Sequence, residues 1–264
     1  MGNNSSIQWC DGTWNPARGC DKISPGCKFC YMMRDSHKFG WDGYTVQRTK
    51  TVFNMPLKYK ETKSQMWDGR PLIFTSSLTD IFHQDIDSFR NEIWNIIRKC
   101  PHLIFQVLTK RPERIKDHLP DDWGDGWDNV WLGVSVENND YNSRVLDLCN
   151  IKAKTRFISA EPLLASTKLL LNDSLVKNKI HQVIIGGESG NDTGKYLYRP
   201  CNLEWIEEIM TECKTSNTPV FIKQLGTHLA KELKLTDRHG GDITEWSKRL
   251  QIREFPKLLT ISYL

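Results

Sequence analysis

The chain has no run of ~18 apolar residues, the length that a membrane-crossing helix requires. Nor does it open on a charged, then apolar, then small-residue leader. Both absences point to a cytoplasmic protein with no membrane partner. Also missing are a phosphate-cradling Walker loop, a Gly-x-Ser-x-Gly nucleophile elbow, a His-Glu-x-x-His zinc motif and a dinucleotide fingerprint opening the fold. The function classes that depend on those motifs are set aside. No credible linker divides the 264 residues, so residues 1–264 are expected to form one domain.

Excess charge is scarce as well. Lys and Arg outnumber Asp and Glu by only four, without a clear basic run, which permits an anionic partner without demanding one. With 39% hydrophobic residues and a mean hydropathy of −0.52, the chain reads as soluble and long enough to bury its own core. It does have ten tryptophans, expected mostly in core and pocket walls, and eight cysteines. Without a secretion signal, the cysteines are thiols or metal ligands rather than disulfides.

Short continuous apolar runs recur at residues 72–76, 103–108, 130–136, 156–160, 182–186 and 219–223, and a further apolar segment lies within 7–14. Continuous rather than alternating runs are expected of parallel strands covered on both faces. Helical patterns fall between them. Phe89, Ile93, Ile96, Ile97 and Cys100 share one face, as do Leu203, Ile206, Ile209, Met210 and Cys213. Asn202 is placed to cap the latter helix, with Glu204 in its first turn. Residues 28–39 are expected to be helical, 41–70 form an elaborated connection, and 229–264 a C-terminal extension. The fold class is therefore α/β with six to seven parallel strands, either an open doubly wound sheet or a partial TIM-type barrel. Both architectures place their sites beyond the carboxyl ends of the strands.

Cys20, Cys27 and Cys30 stand on one loop, with six and then two residues between them. Crowded thiolates suit iron–sulfur or zinc ligation. Four close a structural site, whereas three leave a position open for chemistry. Cys10 is the available fourth ligand for a structural zinc. Gly19 and Gly26 immediately precede two of the cysteines, where a loop wrapping a cluster needs freedom of the backbone.

A Cys-x-aromatic-Cys pair preceded by a third cysteine resembles the signature of radical S-adenosylmethionine enzymes, although their usual first gap is three residues. The longer wording, Thr13-Trp14-Asn15-Pro16, Gly19-Cys20 and Ser24-x-Gly26-Cys27-x-x-Cys30-Tyr31, is similar to one phage-associated branch with a three-cysteine motif. Leu108-Thr109-Lys110-Arg111-Pro112, Trp131 to Glu137, Glu161-Pro162-Leu163-Leu164, Gly186 to Gly190 and Phe221-Ile222-Lys223-Gln224-x-Gly226 extend the likeness along the chain. The resemblance implies a partial barrel, a 4Fe–4S cluster on Cys20, Cys27 and Cys30, and S-adenosylmethionine bound at the open iron. It also implies a reducing partner such as flavodoxin or ferredoxin. Phe29 matches the aromatic that lies near the adenine in that family.

Other polar residues gather after the apolar runs. Ser76, Ser77, Thr79, Asp80 and His83 follow the second, and Ser77 is placed to hold the methionine moiety. Asp80 is either a reacting group or a helix cap, and it would face with His83 if a helix began there. Ser135 and Glu137 end the fourth on one face, in the region where the resemblance implies contact with ribose hydroxyls. Gly186, Gly187 and Glu188 follow the sixth, either contacting the cofactor or substrate or making a tight turn. Glu161 and Lys223 end the fifth and seventh, either as catalytic groups or as an ion pair across the barrel. Tyr31 is either beside the cofactor or packed at a helix start. Lys110 and Arg111 are either an anion site or a solvated basic turn. The phage association that the resemblance implies makes a nucleotide, a modified DNA base or single-stranded DNA a natural substrate. The rival function is a metal-stabilised nucleic-acid-binding module without radical chemistry, and a barrel that keeps the cluster without the cofactor chemistry also remains open.

Overall fold

The computed structural model describes residue 5 and residues 7–257. Seven parallel strands form one sheet: β1 (Gly12–Trp14), β2 (Leu72–Thr75), β3 (Ile104–Thr109), β4 (Val130–Ser135), β5 (Thr155–Ala160), β6 (Gln182–Gly186) and β7 (Val220–Gln224). Each strand pairs with the next in chain order, from β1 at one edge to β7 at the other. A doubly wound sheet would reverse its order in the middle. The unbroken order makes this a partial TIM-type barrel, an α/β fold.

The sheet has two buried faces, each served by alternate residues. Ile73, Phe105, Val107, Leu132, Val134, Ile158, Val183, Ile185 and Ile222 pack outward on the helices. Those helices include α2 (Arg90–Arg98), α3 (Ser143–Cys149) and α4 (Leu203–Ser216). Inward, Leu72, Phe74, Ile104, Trp131, Phe157, Ile184 and Phe221 join Trp9 and Cys10 in a plug filling the amino-terminal half of the barrel. Gly133 is a glycine because the Phe157 ring occupies the space a Cβ would take.

Several expected boundaries move. The first strand begins only at Gly12, because residues 7–10 turn back on themselves and Asp11 accepts hydrogen bonds from Ser64, Gln65 and Leu72. The helix expected over 28–39 is α1 (Tyr31–Lys38), preceded by a 3-10 turn at Pro25–Cys27, since Cys30 itself is extended. Asn202 occupies the cap position of α4, but its side chain makes no capping bond. The 41–70 connection carries a short strand, Gln47–Arg48, antiparallel to Ala17–Arg18. It also buries Phe53, whose carbonyl accepts from the Trp14 indole.

The C-terminal extension begins within α5 (Gly226–Glu232) and returns to the free edge of β7. Ile252 accepts from Ile222, Glu254 donates to Val220, and Phe255 packs on Phe221 and Trp67. An otherwise bare strand edge is thereby paired.

Candidate functional site

The cysteine loop crosses the carboxyl ends of the strands, where the inward-facing residues turn polar. It is tied down along its length. Gly19 donates to the Leu78 carbonyl at 3.0 Å and accepts from Thr79 at 2.6 Å. Its backbone is left-handed (φ 98°), and a Cβ there would overlap the Thr45 carbonyl. Asp21 accepts from His83 Nε2 at 2.9 Å. Because the backbone of Asp85 donates to His83 Nδ1, the ring hydrogen is held on Nε2.

The firmest tie is Glu137, which is fully buried just past β4. It accepts from Ser24 Oγ at 2.6 Å, from Arg144 of α3 at 2.9 Å and from Lys110. Burial alone would raise its pKa, but Lys110 and Arg144 outweigh it and hold the carboxyl below the usual carboxylate range. Gly26 has no side chain because its Cβ would enter the space of that carboxylate. Glu137 was expected to meet ribose. Both its oxygens are instead engaged in holding the loop and the neighbouring strand ends together.

Asp80 has a similar job between β2 and β3. It accepts from Thr109 Oγ1 at 2.7 Å, from the backbone of Phe82 and Lys110 at 3.0 Å each, and from Arg111 at 3.1 Å. It is a brace rather than a group facing a reactant. No α-helix begins at Asp80, so it and His83 do not share a helical face. Arg111 also points Nη1 at Cys20 Sγ, 3.7 Å away. Lys110 and Arg111 thus form neither an anion site nor a solvated turn: carboxylates claim both. Burial, with Asp80 nearby, pushes the Cys20 thiol up to about 12 against the pull of Arg111.

The third brace is Glu188, beyond β6. Arg199 donates to it from the backbone at 2.8 Å and from its guanidinium at 2.8 and 2.5 Å. The same guanidinium donates to the Pro25 carbonyl and lies over the Phe29 ring at 5.3 Å. Gly186 and Gly187 admit protein rather than ligand: a Cβ on the first would meet Glu161, and on the second the Leu225 backbone.

What remains facing the mouth is compact. Glu161 and Lys223 form the expected ion pair across it, 2.9 Å apart and partly exposed, with Ser159 donating to Glu161 at 3.2 Å. Ser135 is buried at the end of β4, its carbonyl accepting from Arg144. Tyr31 opens α1 and donates to the Ser77 carbonyl at 2.6 Å, while Ser77 Oγ shares the Asn15 side chain. Ser76 is unusual. It is buried, its φ of 71° is rare for a residue with a side chain, and its hydroxyl has no partner.

Ser24, Arg144 and Arg199 are essential to this construction, yet no spacing in the sequence marks them. Ser24 and Arg199 reach Glu137 and Pro25 across more than 100 residues of chain, whereas Arg144 bonds nearby, to Ser135 and Glu137.

The donor set fits a cluster held by three thiolates. Cys20, Cys27 and Cys30 are all partly exposed on the braced loop, whereas Cys10 lies buried at the opposite end of β1, donating to Ser5 Oγ. Among the described residues, no three His, Cys, Asp or Glu side chains meet around a single ion. A cubane places each thiolate on a different iron, so it does not need such a convergence.

A partial barrel with its polar loops over the carboxyl mouth is a scaffold of enzymes. The fold is similar to that of a tyrosine-to-phenylalanine variant of spore photoproduct lyase, with a TM-score of 0.52 over 79% of this chain and 75% of that one, at 11% identity. No curated protein matches the sequence. The chain belongs to the family described as "Protein of unknown function (DUF5131)", whose model matches residues 4–255. Among the described residues, no helix is long and apolar enough to cross a membrane.

Proposed function

We propose that this protein is a radical S-adenosylmethionine enzyme of the phage-associated three-cysteine branch. The observation that carries the reading is the three-cysteine loop braced over the carboxyl mouth of a parallel partial barrel. Cys20, Cys27 and Cys30 would hold the 4Fe–4S cluster. When bound and reduced, that cluster supplies one electron to cleave S-adenosylmethionine into methionine and a 5′-deoxyadenosyl radical, which takes hydrogen from an unactivated carbon.

The chain's own residues supply position and exclusion. Phe29, Tyr31, Ser77 and Ser135 edge the space in which the cofactor would lie. Gly186 and Gly187 keep the β6 turn tight, and Glu137 and Glu188 act through the loop they hold. Glu161 and Lys223 carry opposite charges into the mouth, able to orient a zwitterion. The plug of aromatic and aliphatic residues below closes the barrel to water from the other end. A reducing partner of the flavodoxin or ferredoxin kind would deliver the electron. The substrate class in best accord with the branch is a nucleotide or an unpaired nucleic-acid base.

The test is anaerobic purification with iron and sulfide analysis, followed by dithionite and S-adenosylmethionine. Iron and sulfide near four per chain and formation of 5′-deoxyadenosine are expected. Stoichiometric zinc that survives Cys20→Ala, with no 5′-deoxyadenosine formed, would sink the reading.

A further inference from the structure

The net charge of the chain is not spread evenly. Residues 18–50 hold seven basic side chains (Arg18, Lys22, Lys28, Arg34, Lys38, Arg48 and Lys50) and three acidic ones, a balance of 7 − 3 = +4. The rest of the chain therefore holds 36 − 7 = 29 basic and 32 − 3 = 29 acidic residues and is neutral. The whole excess of positive charge lies on the cysteine loop, α1 and the connection that follows.

The acids of this segment are turned to internal use. Asp21 takes the His83 hydrogen bond, Asp42 accepts from Tyr44 and Thr45 within its own loop, and Asp35 pairs with Arg34. Arg48 pairs with Glu92. Arg18, Lys22, Lys28, Lys38 and Lys50 have no carboxylate partner among the described residues.

The same segment exposes its aromatics. Of seven large hydrophobic residues left exposed among the described ones, four are Ile23, Tyr31, Phe39 and Tyr44, with Phe39 the most exposed at 68%. Cations lie over neighbouring rings: Lys38 over Phe39 at 5.2 Å and Arg18 over Trp41 at 4.9 Å. This surface adjoins the mouth, since Gly43 accepts from Cys20 and Tyr31 reaches Ser77.

We infer that residues 18–50 form a docking surface for single-stranded nucleic acid, with the lysines along the phosphates and Phe39 and Tyr44 stacking on bases. A base has a free face for stacking only when it is out of a duplex, so the exposed rings select a single strand. Unpaired lysines supply the salt-dependent affinity that phosphates confer. The inference rests on the proposed function only for its purpose, to bring an unpaired base to the mouth, and binding itself needs no cluster.

The experiment is fluorescence anisotropy with a labelled oligothymidylate of about 12 nucleotides, within the usual site size of such surfaces. It is run on cluster-free and cluster-loaded protein across a salt series. Binding to both forms is expected, weaker for the matching duplex. Lys22→Ala, Lys28→Ala and Lys38→Ala together should flatten the slope of log affinity against log salt by about 2. Phe39→Ala with Tyr44→Ala should weaken binding on the order of tenfold or more while leaving that slope unchanged.

Equal binding of duplex and single strand, equal competition by polyglutamate, or indifference to both variant sets would overturn the inference. Circular dichroism confirms that each variant is folded. A protein that binds the strand but makes no 5′-deoxyadenosine refutes only the radical chemistry. One that makes it without binding the strand refutes only the docking surface.

Discussion

The two ends of the barrel are built from the same strands and behave in opposite ways. Moving two residues up β4 goes from Trp131 to Gly133, and two more reach Ser135. On β5 the same steps pass from Phe157 to Ser159 to Glu161, and on β7 one step passes from Phe221 to Lys223. Below, aromatic and aliphatic side chains fill the interior chiefly by contact. Above, carboxylates and guanidiniums span between strand ends and hold a loop in place. Packing sets stability at one end, and directed polar bonds set geometry at the other, so substitutions at the two ends should fail in different ways.

The largest expected contrast is in the metal. Replacing Cys20, Cys27 or Cys30 with alanine should abolish bound iron, the absorbance near ~400 nm and 5′-deoxyadenosine formation, with folding intact. Cys10→Ala, in the plug, should leave all three unchanged. Equal iron loss from Cys10→Ala would erase the distinction between the two ends.

Next in size is the plug itself. Phe157→Ala empties the space that the missing side chain of Gly133 leaves for its ring, and urea unfolding should register a loss of about 3–5 kcal/mol with iron content per folded chain unchanged. A loss within ~0.5 kcal/mol, the range of surface substitutions, would mean that the interior is not close-packed.

Glu137 tests the mouth. Glu137→Gln leaves Lys110 and Arg144 without a counter-charge and should cost roughly 2–4 kcal/mol, less than full removal of a buried partner, while also lowering cluster retention. Since its folded pKa lies below the unfolded value, its stabilisation is present above that value and is lost as pH falls through the folded one. The gap between wild type and Glu137→Gln should therefore narrow in acid below the ordinary carboxylate range. A gap constant from neutral pH into strong acid would remove the ion-pair explanation.

The smallest effect expected is Gly26→Ala, whose Cβ must displace the Glu137 carboxylate. A cost of about 1–3 kcal/mol is expected, together with faster cluster loss in air. If Gly26→Ala and Glu137→Gln are combined, the losses should not add, because both release the same contact.

How much of this was legible before the fold was known differs by residue. The strand runs, the helix faces of α2 and α4 and the thiol loop all announce themselves, because burial, helical period and ligand spacing are local properties of sequence. The ion pair of Glu161 with Lys223 was foreseeable from charge ending two buried runs. The roles of Asp80, Glu137 and Glu188 were not. A carboxylate after a strand looks the same whether it meets a ligand or an arginine, and Arg111, Arg144 and Arg199 are ordinary basic residues in the sequence. The glycines mislead for the same reason: Gly186 and Gly187 read as room for a ligand, but the room is taken by Glu161 and Leu225.

The sequence by itself determined the alternation of strands and helices, the three thiols on one loop and the excess of basic over acidic residues within 18–50. Each depends only on residue type and short spacing. Only the tertiary structure decided that the sheet runs in unbroken order into a partial barrel, which carboxylates brace the loop and which leave charge in the mouth. Those depend on contacts between residues distant in the chain, such as Ser24 with Glu137 and Pro25 with Arg199, and chain closure rather than local preference selects them.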